Sequence, residues 1–371
     1  MTSHVVIREG STQLAVPARH SSGGPGTRGQ DLFYNRQMAF NRDVSVMVLR
    51  ALGPGLRVAD CMAATGSRSA RMANEVPGIE VVANDIDPRS LEFMDLNVGL
   101  NQLSNLESRN LDLACLLSQE RFDCVDIDPF GSPMPYLHSA IKGVSRGGVL
   151  AITATDTAPL AGARRDKCER RYLARPPKWP CHHESGLRIL LGTIARELAR
   201  FDKGMDPLLS FYCDHYFRVF VRVGKGAMKA ESTLANMGYM SYDRRTLERS
   251  FSDRMEEHPY GPMWLGPLHD RDLLQTMDVD DGLAEPRRCE KMLNLWREEL
   301  DTPVSYEVSE LSSYLKISPP RMERLLESLR SLGDASRSHV SPTAFRTDLE
   351  LEQVLEAYRD ASSLTTFNTV E

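Results

Sequence analysis

Leu56-Arg-Val-Ala-Asp60, followed at once by Cys61-Met-Ala-Ala-Thr-Gly66, decides the fold. The first five residues read as a buried strand, and the run of small residues ending in Gly66 reads as the turn into a helix. Working outward, residues 79–84 (IEVVAN) read as a second strand with a helix over 88–101, and residues 106–110 as a third strand. Residues 122–128 (FDCVDID) and 148–155 (GVLAITAT) read as two more. Such alternation implies an α/β fold, a mostly parallel sheet with helices on both faces. Leu187, Leu190, Leu191, Ile194, Leu198 and Phe201 recur at helical spacing through residues 186–201, the mark of a helix packed on a core. Residues 208–213 and 216–223 then read as an antiparallel pair at the sheet edge, joined by Asp214-His215.

Upstream, residues 20–29 (HSSGGPGTRG) read as a mobile loop. After Lys225-Gly226 the composition shifts. Residues 227–300 read as helix-rich and acidic, broken by a loop over 259–270 (PYGPMWLGPLHD). Residues 304–345 hold two helical patterns. The second is capped by Ser318, has Pro319 in its first turn, carries the stripe Met322, Leu325, Leu326, Leu329 and Leu332, and closes at Gly333. With the extended SRSHVSPTAFRT after it, this suggests a winged-helix-like unit, which can touch nucleic acid or simply pack. The expected division is 1–226 and 227–371, the second a smaller α+β domain; 371 residues suffice for it.

Hydrophobic residues make up 41 % of the chain and charged residues 26 %, ordinary for a globular protein. No run approaches the roughly 18 apolar residues of a membrane span, and the start, MTSHVVIREG, lacks the features of a signal peptide. A cytoplasmic protein without membrane association is expected. The seven cysteines include no C-x-x-C pair, so neither a disulfide nor a metal site is expected. A net charge of −6 does not announce a nucleic-acid binder, yet residues 160–200 carry ten Lys/Arg against four acids. Such a segment is either a phosphate-binding patch or a solvated, ion-paired face.

In doubly wound sheets ligands bind beyond the C-terminal strand ends. Asp60 and Gly66 lie at the first such end, where small residues let backbone approach a ligand. A single glycine there excludes the G-x-G-x-x-G fingerprint of dinucleotide enzymes. Asp85, 19 residues after Gly66, ends the second strand, where a carboxylate can accept from both ribose hydroxyls or can cap a helix. Asp112, just past the third, can accept from an adenine amino group or can cap a helix.

The fourth strand ends in Asp126-Ile-Asp128-Pro129-Phe130-Gly131, which resembles the (N/D)-P-P-(Y/F/W) motif of amino-methyltransferases. An exocyclic amine is a poor nucleophile because its lone pair is delocalised into the ring. The Asp128 carboxylate and the Pro129 carbonyl can both accept N–H bonds and so localise density on nitrogen. Phe130 can stack on a base taken out of its helix, and alignment then supplies much of the acceleration. A plain D-P turn after a strand is the alternative.

Over nearly all of residues 27–350 the chain resembles the tRNA guanine-26 N2-dimethyltransferase family. The matching segments include Phe33-Tyr-Asn-Arg-Gln-Met, Asn41-Arg-Asp, Ala64-Thr-Gly-Ser-Arg68, Asn84-Asp85, Asp128-Pro-Phe-Gly-Ser, Thr153-Ala-Thr-Asp156-Thr, His183-Glu-Ser-Gly-Leu-Arg188, Asp214-His-Tyr-Phe-Arg218 and Gly261-Pro-Met-Trp-Leu-Gly266. The resemblance implies a Rossmann-like class I methyltransferase domain, a family-specific C-terminal domain, S-adenosyl-L-methionine as cofactor, tRNA as substrate and two methyl transfers to N2 of one guanine. No obligate protein partner is inferred. It assigns cofactor binding to Arg42, Arg68, Asp85 and Asp112 with the Leu113 backbone beside the adenine, enclosure of cofactor or base to Phe33, and acceptance of the amine proton to Asp128. Many relatives carry two C-x-x-C pairs between the equivalents of Tyr239 and Gly261; this chain has none there, so the resemblance implies no zinc. Leu113 stands where relatives often have Ala. Two other readings remain open: an amino-methyltransferase acting on another nucleic-acid base, and a non-catalytic tRNA-binding protein.

Overall fold

The computed structural model describes residues 3–21, 32–255 and 258–363. Most of the loop expected at 20–29 lies outside the described residues. The chain opens with a hairpin, β1 (His4–Glu9) and β2 (Thr12–Pro17). After α1 (Ala39–Leu52), strand and helix alternate: β3 (Arg57–Asp60), α2 (Ser67–Glu75), β4 (Glu80–Asn84), α3 (Arg89–Asn101), β5 (Leu106–Arg109), α4 (Leu113–Gln119), β6 (Phe122–Ile127), α5 (Met134–Gly143) and β7 (Val144–Ala154). Helices α6 (Thr157–Leu160), α7 (Arg165–Tyr172) and α8 (His182–Ala199) lead into the hairpin β8 (Lys203–Cys213) and β9 (Tyr216–Lys225).

These strands form one seven-stranded sheet in the order β5-β4-β3-β6-β7-β9-β8. It is parallel from β5 to β7 and antiparallel at the β9–β8 edge. The order turns back between β3 and β6, the switch point where such sheets hold ligands. Both faces are covered. Leu187, Leu190 and Ile194 of α8 join Val125, Ile152 and Phe217 on one side, and Val44, Met47 and Met72 of α1 and α2 join Val58, Val81 and Phe220 on the other. Burial on two faces explains why β4 and β7 carry unbroken apolar runs, over 81–83 and 149–152, rather than alternating ones.

The remainder comprises α9 (Ala227–Leu234), β10 (Met237–Tyr242), β11 (Arg249–Ser252), β12 (Tyr260–Trp264), α10 (Arg271–Thr276), α11 (Pro286–Glu298), β13 (Tyr306–Glu307), α12 (Val308–Leu315), α13 (Met322–Arg330), β14 (Ala335–Arg337), β15 (Ala344–Thr347) and α14 (Leu351–Ser363). Two expectations need correction. Residues 237–264 hold a three-stranded sheet, β11-β10-β12, where helix and loop were expected. Gly261 and Pro262 look like turn residues, but Met263 and Trp264 are buried against α8, and that packing outweighs local preference. Helix α13 starts at Met322 rather than after Ser318. The pair Pro319-Pro320 explains the delay, because a residue before proline is held extended. Leu325, Leu326 and Leu329 then build a small core with Phe345, Val354 and Tyr358, while Leu332 is exposed.

Buried charge joins this part to the large sheet. Glu184 on α8 accepts from Arg188 Nε at 2.8 Å, from Arg346 Nη1 at 2.9 Å and from the Ser305 amide at 2.8 Å. Arg346 also donates from Nε to Glu299 at 2.7 Å, and His339 Nδ1 and His269 Nε2 meet the other oxygen of Glu299. Burial alone would raise the Glu184 carboxyl, but Arg346 and Arg188 hold it at about 2. The Glu184 and Arg188 of the H-E-S-G-L-R segment are therefore seam residues, and Arg188 drops out of the basic surface expected over 160–200.

Candidate active site

A cavity of about 600 Å³ lies at the C-terminal ends of β3, β4 and β6. Asp60, Arg68, Asp85, Asp128, Pro129, Phe130, Phe33 and Arg42 all line it, so most of the expected site residues meet in one place.

Asp85 is held by two loops at once. Ala64 N donates to its Oδ2 at 2.8 Å and Asp87 N to its Oδ1 at 2.9 Å. It does not cap α3; Asp87 takes the Arg89 amide instead. Ile86 beside it is 68 % exposed and also lines the cavity, an apolar wall next to a carboxylate.

Asp128 sits at the end of β6 against the Arg68 guanidinium, whose Nη2 donates to its Oδ2. The same guanidinium donates from Nη1 to Asn41 Oδ1 at 2.7 Å and to Ser45 Oγ at 2.8 Å. Two residues earlier on the strand, Asp126 is fully buried and clamped by Arg218, with contacts of 3.0 and 2.5 Å. Burial opposes its charge, yet Arg218 and Arg68 keep its carboxyl below the ordinary range. Asp60, 2 % exposed, behaves oppositely: burial and the neighbouring Asp126 push its carboxyl up, and it accepts from Ser69 Oγ at 2.6 Å. Alternate strand positions thus carry different duties. Asp126 ties the sheet together, and Asp128, partly exposed, faces the cavity.

The outer wall comes from the segment before α1. Phe33 and Phe130 meet edge to face, with centroids 4.7 Å apart at 80°, and Phe130 is half exposed. Arg42 is held by Glu9 of β1, which accepts from its Nε and Nη2 at 2.6 Å each, and Tyr34 donates its hydroxyl to the same carboxylate at 2.7 Å. Burial would raise Glu9, but Arg42 lowers it to about 2. The hairpin thus buttresses the cavity wall, a role that no feature of its sequence marks.

Three expected residues stand elsewhere. Gly66 is not on the cavity wall; its φ of 70° and Met94 Cγ, 2.9 Å from where a Cβ would be, account for the glycine. Asp112 caps α4, accepting from Ala114 N at 2.8 Å, and it and the buried Leu113 lie outside the lining. Tyr136, Thr155, His215 and Tyr216 line the cavity without having been singled out. The D-H-Y-F-R segment was the available signal for the last two.

His269, Glu299 and His339 offer ligand atoms within 4.8 Å of one another. They sit in the seam, not the cavity. The Glu299 oxygens already accept from both imidazoles, Ser338 and Arg346, and the two arginines balance the two glutamates. A divalent cation would add buried charge with no counterion.

An α/β sheet with a D-P-F-G turn and an acid at the end of the second strand, both facing a cavity at the switch point, is the arrangement of a class I methyltransferase. The family model for N2,N2-dimethylguanosine tRNA methyltransferases matches residues 10–359, and the chain belongs to that family. A tRNA (guanine(26)-N(2))-dimethyltransferase of Pyrococcus furiosus is 39 % identical, over 95 % of this chain and 98 % of the relative. The namesake of Saccharolobus solfataricus is 37 % identical over 88 % and 90 %. The solved structure of Trm1 from Pyrococcus horikoshii with S-adenosyl-L-methionine superposes with a TM-score of 0.88 at 36 % identity, covering 95 % of this chain and 99 % of that one.

Proposed function

We propose that this enzyme transfers methyl groups from S-adenosyl-L-methionine to the exocyclic N2 of guanine 26 in tRNA, giving N2,N2-dimethylguanosine. The observation that carries the reading is the meeting of Asp128, Pro129 and Phe130 with Asp85 and Arg68 in one cavity. The donor set fits the cofactor. Asp85 is an acceptor for vicinal hydroxyls, Ile86 an apolar wall for a purine, and Arg42 and Arg68 are cations for a carboxylate. Gln37 lines the cavity with its side-chain oxygen buried and unpartnered among the described residues, an acceptor for an ammonium. When bound, the cofactor supplies an electrophilic methyl group on sulfonium.

The protein's own work is then positioning and proton acceptance. Arg68 takes Oδ2 of Asp128 and leaves Oδ1 for an amine N–H. The Pro129 carbonyl can accept the second. Phe33 and Phe130 can enclose the flipped base, whose extraction costs a few kcal/mol. As a nitrogen–carbon bond replaces the methyl–sulfur bond, one N–H proton would pass to Asp128; once that proton and the spent thioether have left, the one remaining N–H would face Asp128 for a second round. Asp112 and Leu113 stay in the proposal as an adenine-side pair, although neither lines the cavity and Asp112 caps α4.

The division at 226/227 is also proposed, as the point where the large sheet ends. Beyond it, Leu273 and Trp296 share a core with Phe40, while α12, α13 and α14 build a separate core with Phe345 and Leu247; reading these helices and the β14–β15 hairpin as a winged-helix-like unit is part of the proposal. No described helix is long and apolar enough to cross a membrane. Cytoplasmic residence and action without an obligate protein partner complete the reading. Incubating unmodified tRNA with enzyme and cofactor, then analysing nucleosides by mass spectrometry, tests it. Dimethylguanosine at position 26 is expected, and methylation of another base, or none, overturns it.

A further inference from the structure

The turn that carries Pro129 and Phe130 closes on a glycine with open space on its Cβ side. Gly131 has φ of 89°, and nothing lies within 4 Å of where its Cβ would be. It is nevertheless fastened to the end of the neighbouring strand. Gly131 N donates to Thr155 Oγ1 at 2.6 Å, and Thr155 N returns a bond to Gly131 O at 3.0 Å. One residue on, Ser132 Oγ donates to the Tyr172 hydroxyl at 3.0 Å, and that hydroxyl donates to Asp156 Oδ1 at 2.6 Å. Asp156 Oδ2 accepts from Arg171 Nη1 at 2.9 Å. The chain of donors is directional and complete, from serine to tyrosine to carboxylate. Burial, reinforced by Asp156, keeps the Tyr172 phenol far above its usual range, so it stays a donor at any working pH. Asp156 and Tyr172 do not line the cavity.

We propose that Asp156, acting through Tyr172 and Ser132, is a positioning residue that fixes the 128–131 turn for methyl transfer. This rests on the reading that the turn carries the reaction. The T-A-T-D-T segment thereby gains a purpose: Thr155 clips the turn directly, and Asp156 clips it through Tyr172, the last residue of the basic helix α7, with Arg171 beside it holding Asp156. A misplacement of about 1 Å at a reacting group costs up to roughly 100-fold in rate, so losing one clip should slow the transfer without loosening the ligands.

Tyr172→Phe is the test, because it keeps the buried ring and removes only the hydroxyl. Single-turnover methylation of tRNA at saturating tRNA and cofactor should fall by about 10-fold or more, a fraction of that limit. Cofactor affinity and the thermal midpoint should hold near wild type. Asp156→Asn, which retains an acceptor for the phenol, should lie between the two. Adding Ser132→Ala to Tyr172→Phe should slow the reaction little further, since both remove the same link. A Tyr172→Phe rate within two-fold of wild type overturns the proposal, as does a loss explained entirely by weaker tRNA or cofactor binding. The wild-type control separates the two readings. If it transfers nothing to tRNA, the functional reading fails and takes this one with it; if it is active and Tyr172→Phe equals it, only the positioning role falls.

Discussion

Arg68 donates from one amino group to Asp128 and from the other to Asn41 and Ser45, so a cation on the cavity wall also sets the orientation of the proposed proton acceptor. Its planar fork reaches three partners at once, which the point charge of lysine cannot do. Arg68→Lys should therefore cut single-turnover methyl transfer by about 10-fold or more, comparable to the loss of a charge-assisted bond worth roughly 1.5–3 kcal/mol. Stopped-quench assays on tRNA with saturating cofactor would check it, and an unchanged rate would detach Arg68 from the chemistry.

Asp85→Ala should weaken S-adenosylmethionine binding by about 1.5–3 kcal/mol, the scale of bonds to a charged acceptor. Part of that loss would be indirect, because the carboxylate also holds the Ala64 and Asp87 amides. Calorimetric titration is the measurement. Affinity equal to wild type removes Asp85 from the cofactor site.

How much of this site was legible in the sequence follows from distance along the chain. Asp85 and Asp128 end buried strands, and strand ends can be read from apolar runs. Asp112 sits at a strand end too, but whether an acid there reaches a ligand or caps the next helix depends on where its backbone points. Glu9 shows the opposite failure: it supports Arg42 from a hairpin far away in sequence, and nothing in its neighbours marks it as buried. The strands over 237–264 escape a sequence reading for a related reason. Gly261 and Pro262 speak locally for a turn, and only packing on α8 makes a strand of them.

Glu184→Gln should destabilise the protein by about 3–5 kcal/mol at neutral pH, since it strips Arg188 of its carboxylate partner and leaves Arg346 with Glu299 alone, one buried positive charge in excess. The sign of the pH effect follows from the lowered carboxyl. Folded Glu184 titrates at about 2 against an ordinary value of 4.5, so its contribution is whole above pH 4.5 and fades as pH falls toward 2. Denaturant unfolding of both proteins across that window should show the gap narrowing in acid. A constant gap would mean that Glu184 acts through shape rather than charge.

Arg164 and Arg170 are exposed on and before α7, whereas Arg171 is engaged with Asp156 and Arg188 is buried. If this helix meets the tRNA backbone, reversing Arg164 and Arg170 to Glu should weaken tRNA binding. The salt dependence should also become shallower, by about one unit of slope for each phosphate that is no longer neutralised. Cofactor affinity should not move. Filter binding at several salt concentrations decides between a phosphate patch and a solvated face, the latter giving parallel, superimposed lines.

Asp128→Ala should leave fold and cofactor affinity close to wild type while abolishing most methyl transfer. The side chain is partly exposed at a strand end, and the strand is secured by Asp126 and Arg218, not by Asp128. Its proposed work is done as positive charge develops on the attacking nitrogen. Removing such an interaction lowers the rate rather than ground-state affinity, and a positioned proton acceptor contributes about 10²–10⁴-fold. Asp128→Asn is the sharper variant. Its amide oxygen can still accept one N–H bond, but it brings no charge to Arg68 and takes up no proton. It should be slower than Asp and faster than Ala. Single-turnover methylation of tRNA by the three proteins at saturating cofactor gives that order directly. A near-wild-type rate for Asp128→Ala would mean the amine is activated by another group lining the cavity, and the D-P-F-G turn would lose its chemical role.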